Sequence, residues 1–260
     1  MAKKIIGRCN LCLETKPLID SHIIPRCFQK FVKNEENKMT VFYANEPRPR
    51  ETANALWEGG LLCRECDNSF SDDEKYTYWF FDDFRNRSVA PLSEEKDAHG
   101  ITYKFDRSTK KIKRCLLSIL WRMSIAKRFE YRYVDLGPIE SRLREGLFHD
   151  KFMDDRFFPV AIFSTRNVDD SKAMILTPPS NKVKIQHRHN YVMTYSLMLP
   201  DILILFYASH QIKIDVTNLG IKADVPLNIH ELKPDEMLNV LRTHFKNVPD
   251  KTRFNNPGTD

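Results

Sequence analysis

Two cysteine pairs stand out among the residues able to do chemistry: Cys9-Asn10-Leu11-Cys12 near the start of the chain and Cys63-Arg64-Glu65-Cys66 far downstream. Each Cys-x-x-Cys turn offers two thiolates to one ion, and two such turns complete a tetrahedron. A site of four thiolates is coordinatively closed. The expected ion is therefore a structural zinc, stapling two distant segments together. The chain has six cysteines in 260 residues. That is too few for a secreted disulfide scaffold and fits thiols kept reduced in the cytoplasm.

Between the pairs lies Asp20-Ser21-His22-Ile23-Ile24-Pro25, and directly after them Asp67-Asn68-Ser69-Phe70-Ser71-Asp72-Asp73-Glu74. A neutral histidine with an ordinary pKa near 6.5 can take a proton from water at neutral pH. The alternative for His22 is a hydrogen-bonded neighbour of the cysteine knuckle. Asp67 suits a helix N-cap, and Asp72, Asp73 and Glu74 suit the early turns, where the helix dipole favours negative charge.

These residues need elements to hold them. Leu18-Ile19 and Ile23-Ile24 flank His22 as a short strand or turn, and Leu61-Leu62 leads into the second knuckle as a strand. Arg26 to Lys33 reads as a short amphipathic helix, and Val41 to Tyr43 as a short strand. Phe70, Tyr76, Phe80, Phe81 and Phe84 recur at helical spacing up to Arg87. Residues 90–100, with Pro91, Glu94 and Glu95, read as a linker between domains at 1–89 and 101–260. Beyond it, Ile101 to Phe105 alternates like a strand. Ser108 to Phe129 carries the apolar stripe Ile112, Leu116, Ile119, Leu120, Met123 and Ala126. Pro138 to Phe148 is a second helix. Strands are expected at Val160–Phe163, Ala173–Leu176, Tyr191–Leu197, Ile202–Tyr207 and Ile212–Ile214, with a closing helix over Pro234–Asn247. The fold class is α+β: a zinc-stapled N-terminal domain, then an α+β domain with helices and a small antiparallel sheet.

The run Leu18 to Pro25 with its knuckle, followed by Gly59-Gly60-Leu61-Leu62-Cys63 and Cys66-Asp67, resembles the HNH endonucleases, also called ββα-metal nucleases, over about residues 9–74. The resemblance implies a ββα-metal fold and hydrolysis of phosphodiester bonds in DNA, with His22 as general base and Asp67 where the family's final histidine stands. It also places the module with bacterial restriction and phage defence. The sequence departs from the family at Glu58-Gly59, where the central asparagine would fall. Oxygen ligands suit Mg²⁺ or Mn²⁺. Asp67, Ser71 and Glu74 are spaced to share one helical face and, with Asp20, form the expected catalytic cation site. The alternative is a nuclease-dead zinc module that binds DNA or a partner protein, and RNA is a further substrate reading.

The net charge of +6 permits nucleic-acid binding without requiring it. Arg26, Lys30, Lys33, Arg48, Arg50 and Arg64 lie around the expected site in sequence and are candidate phosphate contacts. Lys110, Lys111, Lys113 and Arg114 form a second cluster, read as a solvated helix face. His187 and His189 read as surface loop residues. The domain over 101–260 is expected to serve recognition of a partner protein, or self-association. No apolar run reaches the roughly 18 residues that span a bilayer, so no membrane partner is expected.

Overall fold

The computed structural model describes residues 5–33, 35–41, 50–52, 57–97, 100–128, 131, 134–150, 158–166, 183–187, 190–208, 220–222, 225–231 and 233. The expected strands at Ala173–Leu176 and Ile212–Ile214 and the helix at Pro234–Asn247 lie outside the described residues, as does Arg48.

The chain is α+β. Strand β1 (Ile5–Arg8) pairs antiparallel with β2 (Thr15–His22), and the first cysteine knuckle forms the tip of this hairpin. The turn closes through Leu13 N–H donating to the Cys9 carbonyl and Cys9 N–H to that of Glu14, both at 2.9 Å. A single 3-10 turn (Phe28–Phe31) follows, where an amphipathic helix is expected; Phe28 and Phe31 are buried. Strands β3 (Met39–Val41) and β4 (Arg50–Thr52) form a separate antiparallel pair.

Strand β5 (Trp57–Cys63) returns beside β2, completing a three-stranded sheet in the order β1-β2-β5. The β2–β5 register shifts between Ile19 and Asp20, moving from Ile19 opposite Leu62 to Asp20 opposite Gly59. The two glycines permit this. Gly60 has φ +81, and a side chain on Gly59 would meet Asp20 Oδ1 at 2.9 Å. Past the bulge Ser21 is buried and His22 is half-buried.

Cys63 ends β5 and serves as the N-cap of α1 (Arg64–Asn68), and α2 (Ser71–Arg85) follows. Asp67 is therefore not the N-cap expected of it. The helix begins earlier, at Arg64, because the second knuckle itself turns the chain from strand to helix, and it breaks at Ser69-Phe70. Phe70 is fully buried at that break.

Residues 93–97, expected in a linker, form β6 (Ser93–Asp97), fully exposed and paired with β7 (Gly100–Phe105). Helix α3 (Thr109–Ile125) starts at an N-cap, Ser108, whose side chain accepts from Lys111 N–H; α4 (Ile139–His149) ends on Asp150 with φ 55. Strands β8 (Val160–Ser164), β9 (Val183–His187), β10 (Asn190–Leu199), β11 (Ile202–Ala208) and β12 (Leu227–Glu231) complete a seven-stranded sheet ordered β6-β7-β12-β8-β11-β10-β9. Its pairs are antiparallel except β12 with β8. The sheet is larger than the small one expected. Strand β6 is polar throughout, and β9 and β12 alternate apolar and polar residues over only five positions each. His187 closes β9 and is not in a loop.

Strands β8 and β11 are buried at every position, the pattern of central strands covered on both faces. Helix α3 packs against α2, α4 and β8. One apolar cluster runs from Cys9 and Leu62 through Phe81 and Leu116 to Ile204 and Ile229, so the core continues across the expected domain boundary.

Candidate functional site

The four knuckle cysteines come together. Their Sγ atoms all lie within 4.8 Å of one another. A tetrahedral ion with bonds near 2.3 Å needs sulfur separations of about 3.8 Å, which this cluster can supply with small adjustments. Cys9, Cys63 and Cys66 are buried and Cys12 is half-buried. One thiol of the set, that of Cys9, is eased toward its thiolate form. Burial pushes the Cys9 thiol up, but backbone N–H groups of Cys63, Cys12 and Leu11 outweigh it and hold the thiol below its ordinary value. Cys63 N–H points at Cys9 Sγ at 3.3 Å. Cys63 and Cys66 are raised, chiefly by burial. Four thiols crowded in this way share few protons comfortably, and a cation relieves the conflict.

The knuckles are braced from outside. Asn10 donates to the Leu61 carbonyl from its backbone N at 3.1 Å and its Nδ2 at 2.8 Å, fixing the hairpin tip to β5. Arg144 of α4 reaches in and donates from Nη1 to the Leu11 carbonyl at 2.8 Å, between the first two cysteines.

His22 ends β2, beside the start of the helices. Burial lowers its pKa; the charges acting on it are Asp67, then Arg26, Arg122 and Glu74. Two of these oppose the other two in sign, so desolvation decides, and the imidazole is neutral at neutral pH. Its ring has no hydrogen bond to any other described residue. Asp67 exerts the strongest of the charge effects, and its Oδ1 is buried without a hydrogen-bond partner. Ser21 Oγ is buried and unpartnered too.

The expected cation set is not assembled as a whole. Asp20 is exposed and packs beside Gly59. Ser71 is half-buried at the start of α2. Glu74 is engaged elsewhere: its Oε1 accepts from Arg122 Nη2 at 2.6 Å. The α1–α2 break explains this, since Asp67 no longer shares a continuous helical face with Ser71 and Glu74. Among the described residues, the four cysteines are the only group of three or more histidines, cysteines and carboxylates with ligand atoms this close. Asp67 acts on His22 electrostatically.

Arg122 is the residue that sequence reasoning missed. It stands off the apolar stripe of α3, yet it is 2% exposed. Its Nη1 donates to the His22 carbonyl at 2.6 Å, its Nη2 to Glu74 and to Ser118 Oγ, and its Nε to the Ser118 carbonyl at 3.2 Å. The available signal was an arginine in the mostly apolar stretch Leu116 to Met123, in the last turn of a helix that is buried nearly all round.

Glu58, standing where an asparagine is expected, accepts from the backbone N–H of Lys127 at 3.1 and 2.9 Å and of Arg128 at 3.3 Å. It ties β5 to the chain just past α3. Of the basic candidates, Arg26 and Arg64 are exposed, Lys30 lies over the Tyr78 ring at 5.5 Å, Lys33 is half-buried, and Arg50 opens β4. The helix cluster is a solvated face only in part: Lys110 and Lys111 are exposed, while Arg114 is half-buried. Lys110 pairs with Asp150 at 2.5 Å, Arg114 with Asp73 at 2.5 Å, Lys111 lies over Tyr76 at 5.3 Å, and Lys113 is 4% exposed. Among the described residues, no helix is long and apolar enough to cross a membrane.

Compared with known family models, curated proteins and solved structures, the chain matches none.

Proposed function

We propose that this protein is a metal-dependent endonuclease of the HNH type that hydrolyses phosphodiester bonds in DNA, built around a structural zinc held by Cys9, Cys12, Cys63 and Cys66. The observation that carries the reading is that Asp67 is the charge acting most strongly on His22. The half-buried imidazole on β2 lies within electrostatic reach of a carboxylate, on the helix opened by the second knuckle, whose Oδ1 is buried without a hydrogen-bond partner. An unpartnered buried carboxylate oxygen is costly, and a hard cation would satisfy it. Bound there, Mg²⁺ or Mn²⁺ would polarise the scissile phosphate and stabilise the leaving oxygen. His22 takes the proton of the attacking water, and its desolvated imidazole is unprotonated at neutral pH. Arg26, exposed and near enough to act on His22 electrostatically, is placed to meet a phosphate.

A second reading has its own observation. Glu58 is occupied by backbone N–H groups, and Glu74 by Arg122, so two positions near the site serve the fold. A nuclease-dead zinc module that binds DNA or a partner protein uses the same platform. The deciding experiment incubates purified protein with Mg²⁺ or Mn²⁺ and supercoiled plasmid, with a parallel arm on RNA. Wild type nicks plasmid, and His22→Ala loses about 10²- to 10⁴-fold in rate. Because the His22 pKa is lowered, the acid limb of the rate profile lies below pH 6.5. Equal residual cleavage by wild type and His22→Ala sinks the nuclease reading in favour of the binding module.

A further inference from the structure

Away from the cysteines and His22, three elements converge with an excess of guanidinium groups. The C-terminal end of α2 carries Arg85 and, just beyond it, Arg87 in the left-handed region with φ 56. Arg166 follows β8, and Asp201 occupies the turn between β10 and β11. The pieces are joined by backbone: Thr165 N–H donates to the Asp201 carbonyl at 2.9 Å.

Arg166 and Arg85 each lie over a buried aromatic ring. The Arg166 Cζ lies 3.7 Å from the Phe84 ring centroid, and the Arg85 Cζ 4.8 Å from that of Phe31; both rings are nearly inaccessible. A guanidinium stacked on a ring keeps its N–H edges in a fixed plane and loses little freedom when those edges find an acceptor. Arg166 Nε and Nη2 are buried and have no hydrogen-bond partner. Asp201 is the carboxylate beside them, and it is shared: its Oδ2 sits 3.4 Å from Arg85 Nε. Arg166 feels Asp201 as an attractive charge and Arg87 and Arg85 as repulsive ones, with burial the larger influence lowering its pKa. Among the described residues, Asp201 thus pairs with Arg85 and acts on Arg166, with Arg87 a further like charge acting on Arg166.

We infer that Arg85, Arg87 and Arg166 form a binding site for a tetrahedral phosphoryl oxyanion, with Asp201 as the internal anion that the ligand competes against. Guanidinium forks match phosphate oxygens in pairs. The same chemistry is offered by a backbone phosphate of nucleic acid and by a free phosphate or phosphate monoester. The site does not depend on whether the zinc platform cleaves anything.

The test uses the full chain with its metal bound. Inorganic phosphate is titrated against chloride at matched ionic strength, read by calorimetry and thermal shift. Wild type binds phosphate; Arg87→Ala, an exposed position, and Arg166→Gln each weaken it about tenfold. Asp201→Asn keeps a residue tolerant of the left-handed region, where Asp201 has φ 61, and removes the competing charge. It strengthens phosphate binding several-fold, an effect that a packing role would not produce. A parallel arm measures affinity for a short DNA duplex across salt concentrations. If the backbone is the source, the slope of log K against log salt falls by about one for each arginine removed. If duplex affinity is unchanged while phosphate binding is lost, the source is a free phosphate. Wild type with no phosphate effect beyond chloride overturns the site, as does Asp201→Asn that binds no better than wild type. Cleavage by wild type and His22→Ala is scored separately, so failure of one reading leaves the other standing.

Discussion

Arg122 donates to the backbone carbonyl of His22 at 2.6 Å, across one hundred residues of sequence. The same guanidinium carries an ion pair to Glu74, and both partners are largely withdrawn from solvent. Helix α3 therefore does more than pack against α2. It fixes the end of strand β2, and with it the residue on which the proposed chemistry depends. The backbone at His22 is thus tied to a residue from the other part of the chain.

Removing Arg122 leaves Glu74 charged and half-buried and the His22 carbonyl unpaired. Breaking a buried pair on one side costs about 3–5 kcal/mol. Arg122→Met is expected to lower the urea midpoint accordingly, and Arg122→Met with Glu74→Leu to recover part of the loss, because the second change removes the stranded charge. A double variant no more stable than the single one would show that the pair contributes little.

Metal removal is expected to unfold more than the knuckles. A structural zinc of this type contributes of order 10 kcal/mol to its local fold. The Arg144 bond to the Leu11 carbonyl links the first knuckle to α4, so chelation should loosen α4 as well. Hydrogen exchange with and without chelator checks this: amides of α4 gain exchange together with those near Cys9 and Cys63. Protection of α4 that is indifferent to metal would break the link. Metal analysis of the intact protein should return one zinc per chain, and Cys9→Ser should return a lower content.

Alkaline pH supplies a further check on the sheet. Tyr195 and Tyr207 have pKa values pushed up to about 12, in both cases chiefly by burial. Tyr195 also donates to the Asp135 carbonyl at 2.5 Å. In the unfolded chain both titrate near 10. Between about 10 and 12 the folded state therefore holds more protons than the unfolded one, and stability falls as pH rises through that window. Absorbance at a tyrosinate wavelength should show the two groups ionising late and together with the loss of structure. Titration near pH 10 in the intact fold would contradict their placement.

Several features of the molecule were legible in the residues themselves, and their signals are local. Two Cys-x-x-Cys turns announce a metal site because ligand spacing is a property of a few bonds. The α3 and α4 helices follow from apolar periodicity, and β8, β10 and β11 from dense β-branched and aromatic runs. The strand before the second knuckle follows from Leu61 and Leu62. What failed was also physical. The N-cap assigned to Asp67 belongs to Cys63, because the knuckle turns the chain before the acidic run begins. Strand β6 is all polar and exposed, and it exists through pairing with β7 that no pattern within Ser93–Asp97 encodes.

The sequence by itself determined which atoms are available: four thiols at ligand spacing, one imidazole flanked by apolar residues, carboxylates after the second knuckle. Only the tertiary structure decided how those atoms are used. Glu74 faces Arg122 and not a shared cation site, Glu58 holds the chain beyond α3, and Arg85 pairs with Asp201. Each of these partnerships joins residues far apart in the chain. Their geometry is set by the packing of α3 on α2 and by the order of strands in the sheet, and neither is a property of any local stretch.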